Sequence, residues 1–262
     1  MPSNTFEKEV EANSVSVGLD QPQRFSDASA HVTTGHSRST NGLRLAREIQ
    51  IEHESTLTIP IRVYEMLKRA FDIVAATMLL LILSVPLLVI GLIIRLSDGG
   101  SMFFVQTRIG RFGRPFKCYK LRTMVSDAER IKDELSEIND HGQSITFKIR
   151  RDPRITPIGR LLRKTSIDEL PQLLNVLRGE MSLVGPRPAV PREVRQYTYR
   201  DHQRLSVQPG LTCVWQVSGR GDVSFDGQVE MDLDYINRRS FSLDLKLLVL
   251  TIPAVLSTRG AY

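Results

Sequence analysis

The chain has 262 residues, 41% of them hydrophobic and 24% charged, with 35 Lys and Arg against 29 Asp and Glu for a formal net charge of +6. That length holds one substantial domain plus appendages. Its two cysteines, Cys118 and Cys213, lie far apart with neither a CxxC spacing nor a His partner. They exclude a disulfide framework or a zinc site and read as reduced cytoplasmic thiols.

Residues 1–60 carry 5 basic and 8 acidic side chains and show no sustained period of 2 or 3.6. The stretch HVTTGHSRSTNG has no apolar face to bury, so this segment reads as a disordered polar tail. His31, His36 and His53 are spaced irregularly within it and do not read as a metal site. Met1 to Val10 is acidic and lacks an apolar core, so no secretory signal is expected there. The rest of the chain has a net charge of +9. A basic body suits anionic partners such as lipid headgroups and nucleotides. Nucleic acid is not expected, because aromatics are only 6% and no binding motif is present.

From Ile73 to Ile94 the chain has 22 consecutive uncharged residues, IVAATMLLLILSVPLLVIGLII. As a straight helix they would span roughly 33 Å, about the thickness of the hydrocarbon core. Lys68 and Arg69 precede the run, while Arg95, Arg108, Arg111, Arg114, Lys117, Lys120 and Arg122 follow it. Basic residues favour the cytoplasmic side, so a spanning helix would export one of these clusters. Pro86 removes a helix hydrogen bond mid-run. The expected arrangement over 61–97 is a helix–break–helix that enters the membrane and returns to the same face; a single spanning helix kinked at proline is the other reading. Lys68 and Arg69 read either as snorkelling interface residues or as contacts to a lipid phosphate.

Past the turn LSDGGS, the segments MFFVQTRIG and FKCYKLRTM predict a hairpin around the basic loop GRFGRP. The loop from Arg108 to Lys117 reads as a headgroup-facing surface. Ser126 to Ile138 predicts a charged helix opened by a capping box. Helices follow from about Ile158 to Lys164 and from about Asp168 to Arg178. In the second, Leu170, Leu173, Leu174 and Leu177 share one face, and Gly179 is placed to close it. LDLKLLVLTIPAVLS, near the end of the chain, suits a helix lying in the membrane interface or covering the core. Trp215 reads as packing, and Asp72 as a carboxylate paired near the start of the apolar run.

Asp168 and Glu169 form an adjacent carboxylate pair at a predicted helix start. One explanation is structural, since acidic residues complement the helix dipole and Ser166 with Glu169 matches a capping box. The surroundings point to chemistry instead: Arg163 and Lys164 precede the pair, Pro186-Arg187-Pro188 pins an arginine in a rigid loop, and Arg220 sits in a glycine turn. Carboxylates among arginines suit a pyrophosphate with a divalent metal, because guanidinium forks match phosphate oxygens and Mg²⁺ favours few carboxylates plus phosphates.

The succession KRAFD (Lys68–Asp72), broken apolar helix, RIGRFGRPFKCYKLRTM, DELPQLLNVLRGEMSLVGPRP and VQPGLTCVWQVSGR resembles the bacterial sugar transferases, the monotopic polyprenyl-phosphate phosphoglycosyl transferases. The resemblance covers roughly residues 65–262, and the WQVSGR and STRGAY runs are most similar to the exopolysaccharide-initiating branch. It implies an α+β, mainly helical fold with a re-entrant membrane helix and a small cytoplasmic catalytic domain, 98–262, bearing interfacial amphipathic helices. The implied reaction moves a sugar-1-phosphate from a UDP-sugar, with galactose or glucose as the sugar, to undecaprenyl phosphate. It would release UMP on the cytoplasmic face of the bacterial inner membrane.

By the same resemblance Asp168 is the nucleophile and a Mg²⁺ ligand, and Glu169 its support. Arg163, Arg187 and Arg220 bind phosphate, with Pro186 and Pro188 framing the nucleotide loop. Ser84 and Pro86 fall on the family's membrane break, where this chain interposes Val85. Membrane lipids and downstream glycosyltransferases are the further partners implied. Two other classes stay open at this level: a membrane-bound nucleotide-sugar hydrolase and a non-enzymatic scaffold for polysaccharide assembly.

Overall fold

The computed structural model describes residues 59–128, 152–218 and 223–256. Of the polar tail expected over 1–60, residues 1–58 lie outside the described residues, as do most of the charged helix expected over 126–138, Arg220 with its glycine turn, and the final STRGAY; Ile59 and Pro60 instead open the first helix. The fold is mainly helical with two small sheets.

Helix α1, Ile59–Asp98, contains the whole apolar run. It is one helix, not two: the helical backbone continues through Pro86. Proline deletes the ladder hydrogen bond that residue 86 would give to Ile82 O. Along this helix Met78, Leu81, Ile82, Val85, Leu88 and Val89 are exposed. An uncovered apolar surface of this length fits lipid better than water. The opposite stripe of α1 packs on the rest of the fold at two places. Phe71, Ala75, Ala76 and Leu80 join the main core, and Leu87, Ile90 and Ile94 join a second cluster with Leu121 and Leu162.

Strands β1 (Phe103–Ile109) and β2 (Pro115–Leu121) form the expected antiparallel hairpin, with Arg108 opposite Phe116 and Gln106 opposite Cys118. In β2, Phe116 and Cys118 are buried and alternate with exposed neighbours, which sets the inward face of the hairpin. Helix α2 (Pro157–Lys164) is capped by Thr156, whose side chain accepts from Gly159 N. The segment expected to be one helix from Asp168 divides. Ile167–Gln172 is a 3₁₀ turn and Leu173–Arg178 forms α3, closed by Gly179 at φ 77°. Pro171 inside this stretch lacks the N–H an α-helix would need, which favours the tighter turn.

Asn175 of α3, fully buried, donates to Lys117 O and accepts from Tyr119 N, so it pairs with the inner edge of β2 as a strand would. Two short strands, β3 (Ser182–Val184) and β4 (Gly210–Thr212), pair in parallel. They are followed by α6 (Val214–Ser218), α7 (Phe225–Arg238) and α8 (Phe241–Leu256), after the one-turn helices α4 (Pro191–Val194) and α5 (Tyr199–His202). Leu173, Val176, Met181, Tyr235 and Leu247 form the core against Ala76. Each large apolar side chain buried there contributes about 1.5–3 kcal/mol.

Candidate active site

The dyad sits at a bend that the backbone makes at some cost. After α2, Ser166 adopts a left-handed conformation (φ 55°, ψ 15°) and turns the chain into the 3₁₀ segment that carries Asp168 and Glu169. Such a conformation outside glycine costs on the order of 1 kcal/mol and concentrates at functional sites. Ser166 makes no side-chain cap hydrogen bond. The capping-box explanation of the dyad therefore fails, and both carboxylates are free for other work.

They are used differently. Glu169 Oε1 accepts from Lys120 Nζ at 2.6 Å and from Arg187 Nη2 at 2.9 Å. Burial alone would raise its pKa, but the Arg187 and Lys120 charges overcome burial and hold the carboxyl well below the usual range. Asp168 is 7% exposed, and no hydrogen bond reaches its carboxylate among the described residues. Burial, followed by the neighbouring Glu169 charge, pushes it up to about 6, with Lys120 and Arg163 pulling the other way. Adjacent acids are thus driven apart, one permanently ionised and one poised.

The cations come from four segments. Arg163, on the last turn of α2, is oriented by Nε donation to Thr123 Oγ1 at 2.8 Å, just beyond β2. Arg187 projects from the Pro186–Pro188 loop, and both proline carbonyls are held: Gly210 N donates to Pro186 O, and Arg108 Nη1 to Pro188 O, each at 2.8 Å. This loop lies so close to β4 that a Cβ on Gly210 would sit 2.1 Å from Gly185 N. The glycines of VGPRP and QPGLT answer one another across that contact. Lys120 comes from the inward face of β2. Arg187's own pKa is raised, chiefly by Glu169.

These groups line an open cleft of about 1320 Å³. One wall is charged, with Lys120, Arg163, Asp168, Glu169 and Arg187. Another is apolar, with Phe71, Ala75 and Leu79 of α1 and Leu248, Ile252 and Val255 of α8. Of the residues singled out in the sequence, Arg163, Asp168, Glu169, Arg187 and Pro188 meet here, and Pro186 is buried behind them.

Lys68 and Arg69 do not meet the cleft. Lys68 Nζ pairs with Asp244 at 2.7 Å, and Arg69 donates to Val176 O and Leu177 O at the end of α3. They lock α1 to the body. Ser84 and Pro86 are exposed on α1, away from the cleft. Asp72 is paired as expected, but with a backbone donor, Leu183 N, at 3.1 Å.

Sequence reasoning missed Lys120 and Arg108 as cleft residues, having counted them among the flanking basic charges. The signal was strand parity, since both fall on the face set by Phe116 and Cys118. The basic loop is also not one headgroup-facing surface. Arg108 turns into the cleft and Arg111 is tied to Glu65 and Ser206 O, leaving Arg114 and Lys117 exposed. Trp215 is buried, in keeping with packing, and borders the cleft.

Among the described residues no three His, Cys, Asp or Glu side chains are grouped to cage a metal. The cleft instead offers Asp168, whose oxygens accept no hydrogen bond from the protein. A single such carboxylate fits Mg²⁺, which keeps waters and substrate phosphates as its other ligands.

A buried, unevenly charged acid pair in a cation-lined cleft, beside a helix long and apolar enough to cross a membrane, has the character of an enzyme site. Residues 63–258 match the family described as bacterial sugar transferase, and the chain belongs to that family. A purely scaffolding role falls with that match. Exopolysaccharide production protein ExoY of Rhizobium meliloti (strain 1021) is 46% identical over 200 residues, 75% of this chain and 88% of ExoY. The undecaprenyl-phosphate galactose phosphotransferase of Salmonella typhimurium is 44% identical over 199 residues, 75% of this chain and 42% of that protein. The UDP-glucose:undecaprenyl-phosphate glucose-1-phosphate transferase of Escherichia coli (strain K12) is 39% identical over 208 residues, 76% of this chain and 42% of that protein.

Proposed function

We propose that the protein transfers a hexose-1-phosphate from a UDP-sugar, galactose or glucose, to undecaprenyl phosphate, as the first step of exopolysaccharide repeat assembly. The observation that carries this reading is the uneven dyad: Glu169 Oε1 is held by both Lys120 and Arg187, while Asp168 faces the cleft without a hydrogen bond among the described residues. A carboxylate so held is a poor nucleophile; a desolvated one without donors is a better one.

An Asp168 oxygen attacks the phosphorus that bears the sugar. The bond from that phosphorus to the bridging oxygen breaks, and UMP leaves with the electron pair. A phosphate oxygen of the lipid then attacks the same phosphorus, giving the lipid diphosphate sugar and restoring the carboxylate. Splitting the transfer lets a water-soluble donor and a lipid acceptor use one site in turn. Arg163 and Arg187 hold phosphate oxygens in line, and Glu169 keeps Arg187 and Lys120 in place. Mg²⁺, held by Asp168 and the substrate phosphates, would neutralise pyrophosphate charge. The apolar wall from α1 and α8, adjoining the charged one, supports a lipid rather than water as acceptor.

The test is incubation with sugar-labelled UDP-galactose or UDP-glucose and no lipid. Label should remain on the chain at Asp168, with UMP released. Asp168→Asn should fold and give no label. Label elsewhere, or release of UDP, defeats the mechanism.

A re-entrant, monotopic placement on the cytoplasmic face belongs to the same proposal. It is supported by the two ends of α1 binding one body: Tyr64 and Lys68 to Asp244 at one end, and Ile94 against Leu121 and Leu162 at the other. In a Cys-free background, Arg62→Cys and Ser101→Cys should both be shielded from an impermeant thiol reagent in intact cells. Labelling of either from outside defeats this placement.

A further inference from the structure

We infer that Arg108 is a substrate-phosphate ligand, held ready at the cleft by the carbonyl of Pro188. The inference rests on the transfer proposed above and adds to it a residue from β1, a strand that carries no member of the dyad. Arg108 stands opposite Phe116, on the inward face of the hairpin, and lines the cleft with Lys120. Its Nη1 donates to Pro188 O at 2.8 Å, in the loop that carries Arg187. Its Nε is buried and has no hydrogen-bond partner among the described residues.

Among the described residues no carboxylate accepts from this Nε, and the Glu193 and Glu169 charges offset only part of the cost. Glu169 is taken by Lys120 and Arg187, and the charge that Arg108 feels most is the like charge of Arg187, which together with burial lowers its pKa. A half-satisfied guanidinium beside a second guanidinium is costly in an empty site. It becomes favourable when an anion lies against both.

The charge balance fits. Arg108, Lys120, Arg163 and Arg187 line the cleft with Asp168 and Glu169, and its other charged residues, Arg154, Arg192, Arg195 and Arg204 against Glu193, add to the positive excess. Arginine suits the role because its fork holds a protein carbonyl with one nitrogen while presenting others to phosphate. The lipid acceptor also carries phosphate, so the experiment must separate the two sources.

Full-length Arg108→Gln and Arg108→Lys would be compared with wild type in equilibrium binding of UDP and of uridine, and in steady-state kinetics with the UDP-sugar and undecaprenyl phosphate. Arg108→Gln should weaken UDP binding tenfold or more and leave uridine binding within twofold, and Arg108→Lys should recover part of the loss. A rise confined to the KM for undecaprenyl phosphate would assign the same contact to the lipid phosphate. Equal losses for UDP and uridine would show only a displaced Pro188 loop and would overturn the inference, as would no loss in any assay. Wild-type protein that neither binds UDP nor transfers sugar phosphate would overturn the reaction itself, a result independent of residue 108.

Discussion

Two buried acid clusters in this protein are handled in opposite ways. Asp244, at the start of α8, receives Tyr64 Oη and Lys68 Nζ on Oδ2 at 2.8 and 2.7 Å, and Tyr235 Oη on Oδ1 at 2.7 Å. Burial and then the Asp244 charge hold the Tyr235 phenol protonated, so it remains a donor. The cluster ties α1, α7 and α8 together. Around the dyad Glu169 receives two charged donors on one oxygen, and its neighbour receives no hydrogen bond among the described residues. A satisfied network fixes structure, while spare valence held in place by its surroundings is capacity for a ligand.

The sharpest way to break this comparison is to exchange the expected failures. Asp168→Asn should lower turnover by roughly 10³-fold or more and leave the fold intact, because the nucleophile is gone and no hydrogen bond is lost. Asp244→Ala should do the reverse. It strands Lys68 and two phenols, and removing one partner from a buried pair costs about 3–5 kcal/mol. Activity per folded molecule should then stay within a few-fold of wild type. Thermal unfolding in detergent and turnover, measured on both variants, decide the matter. A silent Asp244→Ala or an unfolded Asp168→Asn would show that hydrogen-bond saturation does not separate structure from function here.

How much of this was legible beforehand follows from the range of the forces involved. The apolar run, α2, the hairpin and the Gly179 stop are local patterns, and each stands where the residues put it. The dyad and its arginines were visible as unusual residue types in rigid loops. Contacts set by tertiary packing were not visible. Nothing local says that Gly185 meets Gly210, that Lys68 is consumed by Asp244, or that Glu169 rather than Asp168 takes Arg187. Lys120 and Arg108 were within reach, had a charge at an inward strand position been read as an anomaly rather than as part of a basic flank.

The finest test sets the two members of the dyad against each other through pH. Asp168 has a folded pKa of about 6 against an ordinary 3.8, so between those values the folded chain holds a proton that the unfolded chain has lost. Stability contributed by this group therefore falls as pH rises from about 4 to 6, and above 6 its charge is a net cost. Asp168→Asn should consequently be more stable than wild type at pH 8, by on the order of 2 kcal/mol, with the gain fading toward pH 4. Glu169 has the opposite sign. Its pKa is depressed, so its contribution is present above the ordinary glutamate range and is lost only as pH falls through the lower folded value. Glu169→Gln should destabilise at pH 8 because Lys120 and Arg187 lose their shared anion. Covalent labelling by the donor should track the Asp168 ionisation and weaken below pH 6. Melting curves of both variants at pH 4, 6 and 8 give the answer. If both substitutions destabilise alike at pH 8, the carboxylates form a single structural unit, and the bare aspartate loses its claim to be the nucleophile.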